Sequence, residues 1–200
     1  MFSSFHFDRA RKGDGLTQPF WQGEPSDRDD EPGRVRLMHH DPRWRQEFEQ
    51  TRSSILQCCE GRVVAVEHIG STAISGIIAR PIVDAVAVVA DPVDLDDSAA
   101  LIEGLNFLPV DSPEWVPTGG GRQISLHKPR HGEITHRVYA VTQGSPLLLL
   151  ATRLRDYLRS SPEEAIAFEE AKVNAWQQCE GDPQAYAEAM SSVFAGIDPR

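Results

Sequence analysis

"EHIGSTAISGIIARPIVDAVAVV", residues 67–89, decides how the chain is read. A strand-like run ends at Gly70-Ser71, a short loop follows, and a second strand-like run carries one carboxylate, Asp84. A glycine ending a strand lets the backbone turn sharply and lets a ligand approach. Ser71 and Thr72 add hydroxyls and amides suited to an anion. The same dipeptide also serves as a plain turn. On the second strand Ile82, Asp84, Val86 and Val88 share a face. A carboxylate inside a buried strand costs several kcal/mol unless it is paired, hydrogen-bonded or metal-bound. Asp84 is therefore either in a salt bridge, for example to Arg80 or to a C-terminal Arg or Lys, or part of a site. Metal-dependent phosphoryl chemistry asks for at least two carboxylates, which raises the question of a second.

Outward from this stretch the chain alternates between helical and extended patterns. "HDPRWRQEFEQTRSSILQCC" predicts a helix capped by Asp41, with Pro42 in its first turn and Trp44, Phe48, Ile55 and Cys59 on one stripe. "RVVAVEHI" and "RPIVDAVAVV" are apolar on both faces, as central strands are. "PVDLDDSAALIEGL" predicts a helix from near Asp94 with Leu95, Leu101 and Leu105 inward, and "NFLPV" a short strand. "RQISLH" and "EITHRVYAV" alternate as strands, and "KPRHG" between them has turn chemistry. The C-terminal third is helical: residues 144–160, then a helix opened by Ser161, Pro162 and Glu164 as a capping box, then one opened by Asp182 and Pro183. Residues 1–33, rich in Gly, Pro and Asp, read as a disordered tail on which Phe20 and Trp21 could pack, and 34–198 as the one folded domain. The fold class is α+β, a mixed sheet with packed helices and a helical C-terminal part.

Two hundred residues suit one domain. With 20 Lys and Arg against 30 Asp and Glu the formal charge is −10, which disfavours extended nucleic acid, although a local basic cleft is compatible with it. Cys58, Cys59 and Cys179 form no zinc spacing and read as free thiols. No apolar run reaches membrane length and the N-terminus has no apolar signal core, so a cytoplasmic protein without membrane partners is expected.

Strand, Gly-Ser, about a dozen residues, then an acidic strand resembles the nucleotidyltransferase superfold related to DNA polymerase β. More narrowly, residues 66–89 resemble the signature of the GrpB family, in which a His-Ile-Gly-Ser-Thr turn leads to a Lys-Pro-Ile-Ile-Asp strand. "HDPRWRQEF", "ITHRVYAV", "LRDYLRSSPEEA", "FEEAK" and "AYAEA" resemble further family segments in the same order, so that the likeness runs from about Val35 to Ile197. Departures are evident. Val86 stands where the superfold has its second carboxylate, Arg80 where Lys is usual, Arg137 and Tyr139 in place of two strand histidines, and Met190 where a basic residue is common.

The resemblance implies a site of Asp84 as metal ligand for Mg²⁺ or Mn²⁺, with Gly70, Ser71, Thr72, Arg80 and Lys172 toward the phosphates of a nucleotide or phosphorylated small molecule. Glu133 and His136 complete the catalytic set, with Glu67 as a further helper. Each has an ordinary alternative. Glu67 and His68 point to opposite strand faces, so at most one enters the cleft. Glu133 is equally a hairpin-end surface charge, and His127 and His136 face each other only in one register. Lys172 lies between Phe168 and Trp176 on a helical stripe, where it either snorkels to water or reaches an anion. Tyr157 and Tyr186 suit either a base or the core. Three functions follow: a nucleotidyltransferase-type enzyme using NTP and a divalent cation, a non-catalytic nucleotide- or phosphometabolite-binding protein, or an interaction and scaffold domain.

Overall fold

Trp44, Phe48, Thr51 and Ile55 recur every three or four residues, and all four are buried on helix α1, Arg43–Cys58. The computed structural model describes residues 33–111, 122–129 and 131–197. The expected tail falls outside these apart from Gly33, as do most of the Gly-rich loop after Asp111, and Arg130. Asp41 accepts the Arg43 amide at 2.9 Å, so the carboxylate expected to cap α1 does so from one residue before Pro42.

Five strands form one sheet in the order β1-β2-β5-β4-β3: β1 Val63–Ile69, β2 Val83–Val89, β3 Leu108–Val110, β4 Gln123–Lys128 and β5 His136–Thr142. All neighbours are antiparallel except β2 and β5, which run parallel, so the sheet is mixed. β2 is interior, with a strand on either side, as its apolar run predicts. β1 lies at the edge instead; Val63 and Val66 join the core on one side and Ile69 on the other, while Val64 is exposed. "RVRLM" contributes one bridge, Met38 to Ala79, and no full strand.

Strand alternation sorts the core into two sides. Val83, Ala85, Ala87, Val89, Val138 and Ala140 pack with α1 and with α2, Leu95–Glu103. Val86, Val88, Tyr139 and Val141 pack with α3, Pro146–Ser160. On α2, Leu95, Ala99 and Ile102 face inward, whereas Leu101 is exposed, because 95, 99 and 102 make the helical stripe and 101 falls off it. α4, Pro162–Gln178, and α5, Pro183–Gly196, build a further cluster around Val35, Ile74 and Ile77. Asp182 caps α5 by accepting the Ala185 amide at 2.8 Å; the expected Ser161 side-chain cap on α4 is not made. Among the described residues no helix is long and apolar enough to cross a membrane.

Candidate functional site

The site grows from the register of β1 on β2. Ile69 stands opposite Asp84, so the chain leaves β1 directly beside that carboxylate. Gly70 then takes φ +71° and ψ −174°, a region only glycine enters at ease. A Cβ on Gly70 would lie 2.9 Å from Asp84 Oδ2. Both demands explain the glycine: the backbone must turn there, and it must turn over the carboxylate. Ser71–Ala73 follows as one 3-10 turn with Ser71 half-buried.

Asp84 does not wait for a metal. Across the parallel pairing it stands beside Arg137, whose Nε lies 2.8 Å from Oδ1 and whose terminal nitrogen donates to Oδ2 at 3.4 Å. The 2.8 Å contact is an ion pair out of line for a hydrogen bond, since neither Arg137 Nε nor Asp84 Oδ1 has a hydrogen-bond partner. Burial pushes the Asp84 carboxyl above its ordinary value, and the guanidiniums of Arg137 and Arg80 pull it back. Arg80 is the second cation. Burial lowers its pKa, nearby Arg137 lowers it further, and Asp84 opposes both. Tyr139 and Tyr186 border the group; burial raises the Tyr186 phenol to about 12, so it stays neutral. Arg137 alone is paired with the carboxylate; the Arg80 guanidinium feels its field and makes neither a hydrogen bond nor an ion pair with the described residues.

Helix α3 fastens the turn from outside. Arg155 donates to Glu67 Oε2 at 2.8 Å and to the His68 carbonyl at 2.9 Å, and Arg159 donates to the Ala73 carbonyl at 2.7 Å. From α4, Glu169 accepts the Ile78 amide at 2.6 Å while the Lys172 ammonium donates to the Ile78 carbonyl. Both backbone polar groups of Ile78, two residues before Arg80, are therefore held by side chains of one helix.

The residues expected at the site divide accordingly. Gly70, Ser71, Arg80 and Asp84 come together. Thr72 is buried, and its hydroxyl is spent: it donates to the Ile82 carbonyl at 3.2 Å, so at 3.0 Å it accepts from His68 Nε2. Lys172 is buried on a carbonyl rather than aimed at an anion, and burial lowers its pKa to about 7. His136 is placed on the wrong side of the sheet. It pairs with Lys128 and lies next to Arg137 in sequence, so alternation sends it to the α1 face, into a cleft of about 280 Å³ with Glu47, Gln50, Phe107 and Lys128. That cleft is not continuous with Asp84 through the sheet. Glu133 is exposed in the connection ahead of β5. Glu67 does share the Asp84 face, but it stands opposite Val86 and is paired with Arg155. His127 faces Arg137, not His136.

Sequence reasoning missed Arg137 as the partner of Asp84. The available signal was a second charge interrupting a second apolar strand, with the opposite sign. The described residues do not fit Mg²⁺ or Mn²⁺. Asp84 is held by a cation at 2.8 Å, Val86 fills the second carboxylate's place, and among the described residues no three His, Cys, Asp or Glu side chains gather as metal ligands.

The profile of a protein family described as GrpB protein matches residues 34–200. The UPF0157 protein BH1888 of Halalkalibacterium halodurans is 28% identical over 171 residues, 83% of this chain and 82% of that protein. The UPF0157 protein SCO7215 of Streptomyces coelicolor is 29% identical over 168 residues, 83% of each. Among solved structures, conserved protein GrpB from Enterococcus faecalis superposes with a TM-score of 0.67 at 22% identity, covering 79% of this chain and 93% of that one.

Proposed function

The chain belongs to the GrpB family, and on that premise we propose that it binds a nucleotide or other phosphorylated small molecule through arginine cations, without two-metal chemistry. One observation carries the reading: the carboxylate of Asp84, directly behind the Gly70-Ser71 turn, is paired with Arg137, and the Arg80 guanidinium in its field has no ion pair of its own. A guanidinium depressed by burial and by a like charge gains most from an anion, and arginine's planar fork matches phosphate oxygens. In this arrangement Arg80 holds the phosphate and Ser71 adds its hydroxyl. Asp84 holds Arg137 in place and keeps the two cations from repelling each other. The superfold's two-carboxylate transfer has no support from Val86, which is fully buried and apolar. The family's architecture thus serves recognition in this chain.

The test is thermal stabilisation of the full chain by a panel of nucleotides and sugar phosphates, with Mg²⁺ and with chelator. Stabilisation should be the same in both conditions and should be lost in Arg80→Gln. Turnover of an NTP that requires Mg²⁺ and vanishes in Asp84→Asn would overturn the reading and restore the transferase.

A further inference from the structure

We infer that the cleft between α1 and the β4–β5 pair is a second binding site, for a free α-amino acid, with Glu47 toward its ammonium, Lys128 toward its carboxylate and Phe107 toward its side chain. The cleft holds about 280 Å³ on the sheet face away from Asp84, and it is independent of the arginine cluster. Its walls follow from two periodicities. On α1, Glu47, Gln50, Thr51 and Ser54 recur every three or four residues, so a polar edge runs beside the apolar stripe of Trp44, Phe48 and Ile55. On the sheet, Lys128 ends β4 and His136 begins β5; they are register partners, so their side chains share a face. Phe107, just ahead of β3, is buried, and Lys128 Nζ lies 5.3 Å from its ring centroid. The lysine stem is thus held while its charged end stays at the cleft.

Opposite charges line this cleft without pairing. The side chains of Glu47 and Lys128 make neither a hydrogen bond nor an ion pair with the described residues, although Lys128 feels the Glu47 charge. His136 adds a buried polar atom without a partner. The residue is only 8% exposed, and its Nδ1 meets the Thr135 hydroxyl at 2.9 Å. Its Nε2 has no partner among the described residues and is not sealed from solvent; the ring lines the cleft, so Nε2 is reached from there. A buried ring nitrogen left open in this way calls for a polar atom from a ligand.

The charges decide which ligand. An anion would meet Glu47 and a cation would meet Lys128. A neutral molecule filling the cleft would strip water from both charges and give a partner to neither. A zwitterion supplies a counter-charge to each. With no net charge, it also escapes the field of a chain carrying −10, which opposes nucleotides and other polyanions. A free α-amino acid bears both charges on one short unit and a side chain for the apolar wall of Leu105 and Phe107. The volume lies just below the roughly 300–1,000 Å³ of sites for drug-sized ligands, which suits a molecule of this size.

Thermal-shift screening of the full chain with the common L-amino acids, followed by calorimetric titration of the best of them, checks this. The same titration is run with the amine that lacks its carboxylate, the acid that lacks its ammonium, myo-inositol and adenosine monophosphate. The whole amino acid should bind about tenfold or more tighter than either half, since each half forgoes one charge-assisted contact. That comparison uses the parent chain and needs no variant. Glu47→Gln and Lys128→Met should each weaken the amino acid by about tenfold or more for the same reason; the methionine keeps an apolar stem on Phe107, and unchanged melting temperatures of the free variants confirm that they fold. An amine or an acid that binds as tightly as the whole molecule overturns the inference, as does binding that neither variant weakens, or no binding by any amino acid. Tighter binding of inositol, or of adenosine monophosphate in a manner that Lys128→Met abolishes, assigns the cleft to another class of ligand and overturns it too.

Discussion

His136 and Arg137 are consecutive residues on one strand, yet they belong to two different environments. On the α1 side the two buried histidines are neutral, although Glu47 and Lys128 line the cleft beside His136. His68 lies stacked on Phe48, ring centroids 4.5 Å apart, and burial lowers it to about 4; His136 is lowered to about 4 for the same reason. On the α3 side the polar groups are ions in pairs, Asp84 with Arg137 and Glu67 with Arg155. The alternation of a strand is enough to keep these apart. Buried ion pairs on one face and buried neutral histidines on the other set the two environments apart.

The sharpest way to break this contrast is to remove charge from the ionic side. Asp84→Asn leaves Arg137 buried against Arg80 with no counter-charge. Taking one partner from a buried pair costs about 3–5 kcal/mol, and urea unfolding should show a loss of that size. Replacing both residues with apolar ones, Asp84→Leu with Arg137→Met, should recover most of it. A single variant as stable as the parent would mean that Arg137 reaches water, and the contrast between the faces would fail.

The neutral side is tested by pH. Both histidines titrate in the unfolded chain near 6.5 and in the folded chain near 4. Between these values the unfolded chain binds more protons, so acid favours unfolding. The histidines' stability is complete above 6.5 and is lost as pH falls toward 4. At the scale of 1.36 kcal/mol per tenfold change in proton affinity, each accounts for up to about 3 kcal/mol. His68→Phe keeps an aromatic ring on Phe48 and removes one of the two, so its stability should fall less steeply between pH 6.5 and 4.5. An identical slope would place the acid sensitivity elsewhere.

How much of this could be read from the chain follows from how local each feature is. The Gly70 turn and the intrusion of Asp84 into an apolar run are local, and both stood out. The partner of Asp84 is 53 residues away and is set by the parallel register of β2 on β5, which no spacing rule supplies. The same register decides which of His136 and Arg137 faces the carboxylate. For Lys172 the stripe between Phe168 and Trp176 foretold burial, but both outcomes considered for it, water or an anion, overlooked the backbone carbonyl of a loop that α4 covers. For β1 an apolar run on both faces could not separate an interior strand from an edge strand, because the residue pattern is alike in the two; the structure separates them, with Val64 of β1 exposed while six of the seven β2 residues are buried.

The smallest effect is expected at Glu133, and its smallness discriminates. The superfold resemblance offers it as a third carboxylate, but it is exposed ahead of β5, beyond the end of the strand that brings Arg137 to Asp84. An exposed carboxylate without a defined partner contributes little, so Glu133→Gln should change stability by no more than about 0.5 kcal/mol. Ligand-induced stabilisation should be unchanged too, with or without Mg²⁺. A variant that folds normally but loses a Mg²⁺-dependent response would show that the β4–β5 connection closes over the turn and brings a second carboxylate to Asp84. The ionic face would then be a metal site assembled from two parts of the chain, and the pairing with Arg137 one state of it.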